Sequence, residues 1–385
     1  MTSKERVKKT LDHIEPDRVP IAELGIASSI ASEILGREAH TGGGNLHRDE
    51  TDALFQSQEA GREFADRIFQ DIIELYTSLD LDIVSLPWRM NVKPTKKIDE
   101  NTFYYEDKQT GLWSLYRYIS ETDIFTEIDS SIRKEGFPAI ERFLEKEEAD
   151  IVKNNSEESS YFKDLDLLVN TFGEQKAIVG DSGIVIPIDT PWLEAFILRP
   201  DLIERYLDVQ LEGALRRIEL LAEHKADIVI GGGDLADKNG PVYSPAHFRK
   251  FILPRLKKIT ALSHKVGLPY FYRTDGNTWL LARELFIESG VDGYVEIDKS
   301  AGMDLGELKQ KFPHLTLVGN IDCGETLVNG RKEDVISETI DCLRKAAPGG
   351  GYILAPSNFV QKGVPAENLL IMYETAKQYG AYPIR

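Results

Sequence analysis

The sequence predicts an α/β protein built as a (β/α)8 barrel, because short apolar runs recur, helical stretches follow most of them, and polar or turn residues end them. Most of the runs end in, or just before, Gly, Asp, Asn or Pro. Near-continuous apolar runs are typical of parallel strands buried on both faces. The eight predicted strands are Arg18–Leu24, Leu81–Leu86, Ala177–Gly180, Ala226–Gly231, Leu268–Arg273, Val291–Glu296, Leu315–Asn320 and Gly351–Pro356.

Helical patterns follow most of the predicted strands. From Asp201 onward, apolar residues recur at spacings of three and four, as on one face of a helix. Ser244 followed by Pro245 is typical of an N-cap and a first helical residue, and Asp304 and Pro365 lie near two further predicted starts. Eight strand–helix units indicate a TIM barrel. An open doubly wound sheet is the alternative, but its glycine fingerprint after a first strand is missing.

A long gap between the second and third predicted strands indicates an insertion, roughly residues 95–175. The gap of about 90 residues exceeds what a crossover connection needs. Within it, the turn-like segment Asp107–Gly111 predicts an antiparallel hairpin over the barrel mouth, followed by acidic helical material at roughly 130–170. The glycine run in Thr41–Asn45 predicts a mobile loop or a simple connector. We expect residues 1–385 to form one barrel domain with an N-terminal extension.

Composition excludes several classes of partner. With 46 Lys and Arg against 64 Asp and Glu, the net charge is −18, which gives no electrostatic reason to bind nucleic acid or an anionic membrane. No run approaches the ~18 consecutive apolar residues of a transmembrane helix, and the charged N-terminus lacks the apolar segment of a secretory signal. The two cysteines, Cys323 and Cys342, form no disulfide framework. We therefore expect a cytoplasmic protein in a reducing compartment.

Carboxylates follow four consecutive predicted strands, at the edge where barrel enzymes place their chemistry. These residues, Asp234, Asp275, Glu296 and Asp322, are expected to converge on one mouth. Because convergent carboxylates repel, they require a cation, a proton or a hydrogen-bonded polar substrate. Arg273 is expected to supply part of that charge or to bind a substrate carboxylate or phosphate. The alternative is that the carboxylates cap helices or pair with Arg273.

Asp275 and Asp234 are the candidate catalytic residues. The other candidates are expected to bind a small-molecule substrate, because aromatic rings near strand ends can wall an apolar pocket and polar groups can orient its contents. These substrate-binding candidates are Arg273, Arg89, Asn277, Tyr243, Trp88, Trp192, Glu296, Asp322 and Asn358. No metal site is predicted, because His-x-Cys, Cys-x-x-Cys and His-Glu-x-x-His spacings are absent. A hard cation on oxygen ligands is the alternative.

Several segments, in this order, resemble the uroporphyrinogen decarboxylase family. They include Glu15–Pro20 (EPDRVP), Gly231–Asp234 (GGGD), Gly319–Asp322 (GNID) and Ala347–Gly351 (APGGG), and the resemblance spans nearly the whole chain. It implies a barrel that often forms a homodimer. It also implies an enzyme, since the family contains decarboxylases that remove acetate carboxyl groups from a porphyrinogen without a cofactor. Other members are methyltransferases that work with corrinoid proteins, including zinc enzymes that move a methyl group to coenzyme M.

The chain departs from the decarboxylase pattern. The family's arginine-rich substrate loop would lie in Ile21–Ile26, which contains no arginine. Its essential aspartate would fall at Arg89, its tyrosine at Phe196, and its histidine near the last strand at Asn358. A porphyrinogen is a polycarboxylate and needs fixed cations for binding. These losses argue against that activity.

The chain also departs from the zinc methyltransferases. Their His-x-Cys aligns with Arg273–Asp275 and their later cysteine aligns near Ser357–Asn358, so no soft ligand remains. Neither zinc nor another tightly bound cofactor is expected. The resemblance then implies a methyltransferase or demethylase that moves a methyl group from a small methylated or methoxylated compound to a corrinoid protein, with Asp275 and Asp234 as general acids. The alternatives are a cofactor-independent decarboxylase (a lyase) of a small acid or porphyrinogen, and a non-catalytic ligand-binding barrel.

Overall fold

The fold is a curled parallel sheet surrounded by helices, and the computed structural model describes residues 1–153 and 158–384. The strands are β1 (Ile83–Ser85), β2 (Lys96–Lys97), β3 (Thr102–Asp107), β4 (Leu112–Ile119), β5 (Ile124–Ser130), β6 (Ala177–Asp181), β7 (Ile228–Gly232), β8 (Ala236–Asp237), β9 (Gly240–Pro241), β10 (Tyr270–Arg273), β11 (Gly293–Val295), β12 (Thr316–Val318) and β13 (Tyr352–Ile353). The parallel sheet has the order β1-β6-β7-β10-β11-β12-β13. Each of its strands overlaps a predicted run, so the prediction of a barrel-type α/β fold is confirmed.

Helices connect these strands. They are α1 (Ser3–Leu11), α2 (Ser28–Leu35), α3 (Gly44–Gln56), α4 (Gln58–Leu79), α5 (Ser131–Glu135), α6 (Phe137–Lys153), α7 (Glu158–Phe172), α8 (Thr190–Leu198), α9 (Pro200–Glu223), α10 (Pro245–His247), α11 (Leu253–Lys265), α12 (Leu305–Lys311), α13 (Thr326–Asn329), α14 (Lys332–Ala346) and α15 (Ala366–Tyr379). The predicted N-cap is confirmed at Ser244, which accepts from the His247 N–H. Asp304, predicted to lie near a helix start, is also an N-cap and accepts from the Glu307 N–H. In the described part of the chain, no helix is both long enough and apolar enough to cross a lipid bilayer.

The first predicted strand, Arg18–Leu24, closes the barrel without becoming a regular strand. The Ala22 N–H donates to the Leu354 carbonyl on one side, and the Asp82 N–H donates to the Ile21 carbonyl on the other. Regular pairing is interrupted because Pro20 has no N–H and the Ile21 N–H donates to the Asp82 carboxylate. The segment therefore joins the two edges of the seven-stranded sheet, by an isolated bridge between Ile21 and Leu354 on one side and by the Asp82–Ile21 hydrogen bond on the other.

The barrel interior is filled by apolar side chains from every strand position. Val7 of α1 joins this cluster, and the Lys4 N–H donates to the Gln175 carbonyl just before β6. Helix α1 thus covers the amino-terminal end of the barrel and leaves the carboxyl-terminal end for a site. The strand residues of the cluster are Ala22, Ile83, Ala177, Val179, Ile228, Phe271, Val295, Val318, Ile353 and Ala355.

The predicted hairpin is confirmed as the pair β3–β4 within the four-stranded antiparallel sheet β2-β3-β4-β5. This sheet and helices α5–α7 lie between β1 and β6, where the insertion was expected. The turn between β4 and β5 carries Thr122 and Asp123 to the barrel mouth. Of the predicted acidic helical stretch, residues 154–157 lie outside the described residues.

Substitution of Asp82 by Ala is expected to lower the free energy of unfolding by about 3–5 kcal/mol. The Asp82 carboxylate is fully buried and accepts from Arg6 at 2.6 Å, from Arg18 at 2.7 Å and from the Ile21 N–H at 2.8 Å. Its removal leaves two guanidinium groups without their buried partner. Denaturant titration followed by circular dichroism measures the loss.

The matched control is Asp341→Asn, which breaks the exposed pair of Asp341 with Lys345. Such surface pairs contribute about 0–1 kcal/mol, so this variant should unfold near the wild-type midpoint. Equal midpoints for the Asp82 and Asp341 variants would contradict the role given to Asp82.

Candidate functional site

A cavity of about 440 Å³ lies at the carboxyl-terminal end of the barrel. Barrel strand ends form one wall of the cavity, and the glycine run after α2 together with the β4–β5 turn forms the other. Six of the predicted site residues line it: Trp88, Asp234, Arg273, Asp275, Glu296 and Asn358. The strand ends therefore bring these side chains together as barrel geometry predicts.

Arg273, the last residue of β10, is held between an aromatic ring and a carboxylate. Its guanidinium lies 4.2 Å from the centroid of the Trp88 ring and its Nε lies 4.0 Å from Glu296 Oε2. Burial, with Asp275 and Asp234 nearby, raises the pKa of Glu296 to about 7 against the opposing effect of Arg273. Arg273 thus offsets part of the acidic charge at this end of the barrel, one of the two roles considered for it.

Asp275 carries the second perturbed carboxyl group of the cavity. Burial raises its pKa, and the charges of Asp234 and Asp298 raise it further. The Asn358 side-chain amide donates to Asp275 Oδ2 at 3.1 Å, which fixes the carboxyl group. Asp234 is exposed at the end of β7 and lines the same cavity. Burial and the neighbouring carboxyl groups thus favour the protonated form of Asp275.

Two other candidates serve local structure. Asp322 Oδ1 accepts from the N–H groups of Gly324 and Glu325, so it caps a turn. Asn277 Oδ1 accepts from the Trp279 N–H. Neither is among the described residues that line the cavity. Asp322 therefore caps a turn, which is closer to the alternative of a capping role than to that of a site residue.

The last three candidates, Arg89, Tyr243 and Trp192, are also absent from the described lining of the cavity. Arg89 donates to Glu50 at 2.7 Å and to Asp164 at 2.8 Å. The Tyr243 hydroxyl donates to a backbone carbonyl, and Trp192 packs against aromatic neighbours in the core. These side chains follow strands or lie near strand ends in sequence, but they turn toward helices.

The glycine run and the β4–β5 turn are the parts of the site that sequence reasoning missed. Gly42, Gly43 and Gly44 line the cavity, a role that the prediction of a mobile loop or a simple connector did not include. A Cβ on Gly44 would come within 2.5 Å of the Asp123 carbonyl oxygen, so the two segments approach more closely than another residue allows. Three adjacent glycines were the available signal, because such runs permit close backbone contact.

The cavity does not fit the zinc site of the methyltransferases that the sequence resembles. Arg273, Thr274 and Asp275 stand where His-x-Cys is required, and Asn358 stands near the position of the later cysteine. Across the described residues, no group of three or more His, Cys, Asp or Glu side chains is arranged to hold a metal ion. We therefore derive no step through zinc.

Comparisons with known proteins agree with the fold. Residues 190–379 match the family model described as uroporphyrinogen decarboxylase (URO-D). The chain is 27% identical over 131 residues to a uroporphyrinogen decarboxylase of Anaeromyxobacter dehalogenans, covering 34% of this chain and 36% of that protein. It is 26% identical over 186 residues to the methylcobamide:CoM methyltransferase MtaA of Methanosarcina barkeri, covering 48% of this chain and 51% of MtaA.

A structural match extends further than these alignments. A methyltransferase from Methanosarcina mazei superposes with a TM-score of 0.64 and 17% identity, over 99% of this chain and 100% of that one. At this identity the match shows the fold. The sequence alignments span only about a third to a half of the curated relatives' length.

Glu296→Gln is expected to remove a pH dependence of stability. The Glu296 pKa lies near 7 in the folded protein and near 4.5 in the unfolded chain, so the folded state binds more protons between these values. Wild-type stability therefore falls as pH rises through this window, by up to about 3 kcal/mol from this group. Denaturant titrations at about pH 5 and about pH 8 measure the difference between wild type and variant.

The matched control is Glu121→Gln, at an exposed position of the β4–β5 turn. It should keep the wild-type pH dependence. A Glu296→Gln protein that loses as much stability between the two pH values as wild type would contradict the raised pKa.

Proposed function

We propose, from the premise that this chain belongs to the uroporphyrinogen decarboxylase superfamily, that it is a methyltransferase or demethylase. In this proposal a small methylated or methoxylated compound occupies the 440 Å³ cavity and gives its methyl group to a corrinoid carried by a partner protein. Both relatives described above are enzymes, a decarboxylase and a methyltransferase, which supports a catalytic role.

The observation that carries the proposal is the charge balance of the cavity. The carboxyl groups of Asp123, Asp234, Asp275 and Glu296 line it, against the cationic side chains of Arg273 and Lys362. A polycarboxylate such as a porphyrinogen would meet repulsion from this wall. The balance instead suits a neutral or cationic methyl donor.

Asp275 supplies the chemistry that a methoxyl donor needs. An ether oxygen leaves poorly as an anion, so a proton must reach it as the C–O bond breaks. Burial and the charge of Asp234 favour the protonated form of Asp275, and Asn358 holds the carboxyl group in place. The reduced corrinoid would supply the electron pair that takes the methyl group, while this chain binds the donor and provides the proton.

Decarboxylation of a small acid is the second candidate. It is favoured by Arg273, whose guanidinium lines the cavity and can bind a carboxylate. The same guanidinium lies 4.0 Å from Glu296, so a substrate carboxylate would compete with that residue.

The test is conversion of cob(I)alamin to methylcobalamin, followed by its absorption spectrum, with a panel of methoxylated aromatics, methylamines and betaines. Asp275→Asn is expected to lower the rate with methoxylated donors by about 10²- to 10⁴-fold, because the amide cannot donate the acidic proton. The variant should still fold, since Asn can accept the hydrogen bond from Asn358.

Asp237→Asn is the matched control. Asp237 follows β7 like Asp234, but its Oδ1 accepts from the Asn239 N–H, a bond that an asparagine keeps. We expect wild-type rates for this variant. Release of carbon dioxide from a small acid without any cobalamin conversion would replace the proposal with the second candidate.

A further inference from the structure

Asp123 places a buried carboxylate in the wall of the cavity. The residue lies in the β4–β5 turn, is only 7% exposed and lines the cavity. Its Oδ1 accepts from the Asn45 N–H at 2.8 Å and from the Tyr118 hydroxyl at 3.1 Å. Its Oδ2 is buried and accepts no hydrogen bond from the described residues. Because Oδ2 is closed off against Gly43, a cation in the cavity would offset the charge of this carboxylate through space and not by bonding to that oxygen.

The glycine run makes room for this carboxylate. A Cβ on Gly43 would lie 2.4 Å from Asp123 Oδ2, and the Gly43 backbone has a φ of 88° that favours glycine. The Gly44 N–H donates to the Asp123 carbonyl at 2.8 Å, which fixes the turn against the run. Both features hold the carboxylate where the cavity wall is formed.

The two cationic side chains that line the cavity contact groups other than Asp123. Arg273 lies between Trp88 and Glu296, and Lys362 Nζ donates to the Ser120 carbonyl at 2.9 Å. Neither is among the described partners of Asp123 Oδ2. Among the described residues, no salt bridge joins Asp123 or Asp234 to either of these cations, so their two carboxylates are the acidic groups that a bound cation can offset.

The other lining residues identify the kind of cation that fits. Leu24, Phe125 and Phe359 line the cavity together with the carboxylates. A metal ion prefers a shell of oxygen ligands, and the described residues offer no such cluster. A methylated ammonium or sulfonium group carries its charge under an apolar surface, and both aromatic rings and carboxylates stabilise it.

We propose that the cavity binds a small organic cation, a methylated ammonium or sulfonium compound, with Asp123 as one of its counter-ions. The inference rests on the proposed function in one respect, because it names the class of the methyl donor. Binding itself requires no corrinoid and can be measured alone.

The experiment is calorimetric titration of the protein with choline, tetramethylammonium and 3,3-dimethylbutan-1-ol, the neutral isostere of choline. Wild type is expected to bind choline about ten- to a hundredfold more tightly than the isostere. Asp123→Asn, which keeps the shape and the bonds to Asn45 and Tyr118, should reduce that preference by about tenfold or more. Glu121→Gln, a charge change in the same turn outside the described cavity lining, should preserve it.

Equal affinity of wild type for choline and the isostere overturns the proposal, as does the absence of saturable binding of all three compounds. This comparison needs no variant, so it stands even if Asp123→Asn fails to fold. Cation binding without methyl transfer to cobalamin supports the site and contradicts the proposed function. Methyl transfer from neutral methoxylated compounds without cation binding supports the proposed function and contradicts the cation site.

Discussion

The buried carboxylate of Asp82 is the interaction on which the barrel depends. The first strand position pairs poorly on its own, because Pro20 lacks an N–H. Asp82 takes the place of the missing strand partner by accepting from the Ile21 N–H, and it also binds Arg6 of α1 and Arg18. One side chain thus holds the amino-terminal helix, the closing segment and the start of β1 together.

A second ionic network holds in place the segment that carries Trp88, a residue of the cavity wall. Glu50 of α3 and Asp164 of α7 bind Arg89, which follows directly on Trp88. His47 also contacts the Trp88 carbonyl, at 3.0 Å. These bonds hold the segment after β1, and its indole ring lies over Arg273. Arg89 therefore contributes to the position of a lining residue without itself lining the cavity.

Sequence patterns reveal those features that depend on local order. Buried parallel strands are continuous apolar runs, so seven strands and the carboxylates that follow them, such as Asp275 and Glu296, could be predicted. Arg89 and Arg273 both lie at or just after the end of a predicted strand, so their sequence contexts are alike. Only their contacts in the folded protein distinguish them. Asp123 could not be found at all, because its place at the mouth depends on how the insertion folds over the barrel. The glycine run is visible in the sequence, but its contact with the β4–β5 turn joins two segments that are far apart along the chain.

The pair of Asp275 and Asn358 shows how one barrel position can serve different chemistry. In the zinc methyltransferases that the chain resembles, soft metal ligands align with or near these positions. Here the two side chains, 83 residues apart in sequence, meet at 3.1 Å through a hydrogen bond. A carboxylate and an amide at this distance bind a polar or cationic group more readily than a thiophilic metal. The unpartnered oxygen of Asp123 in the opposite wall adds to the same preference for positive charge.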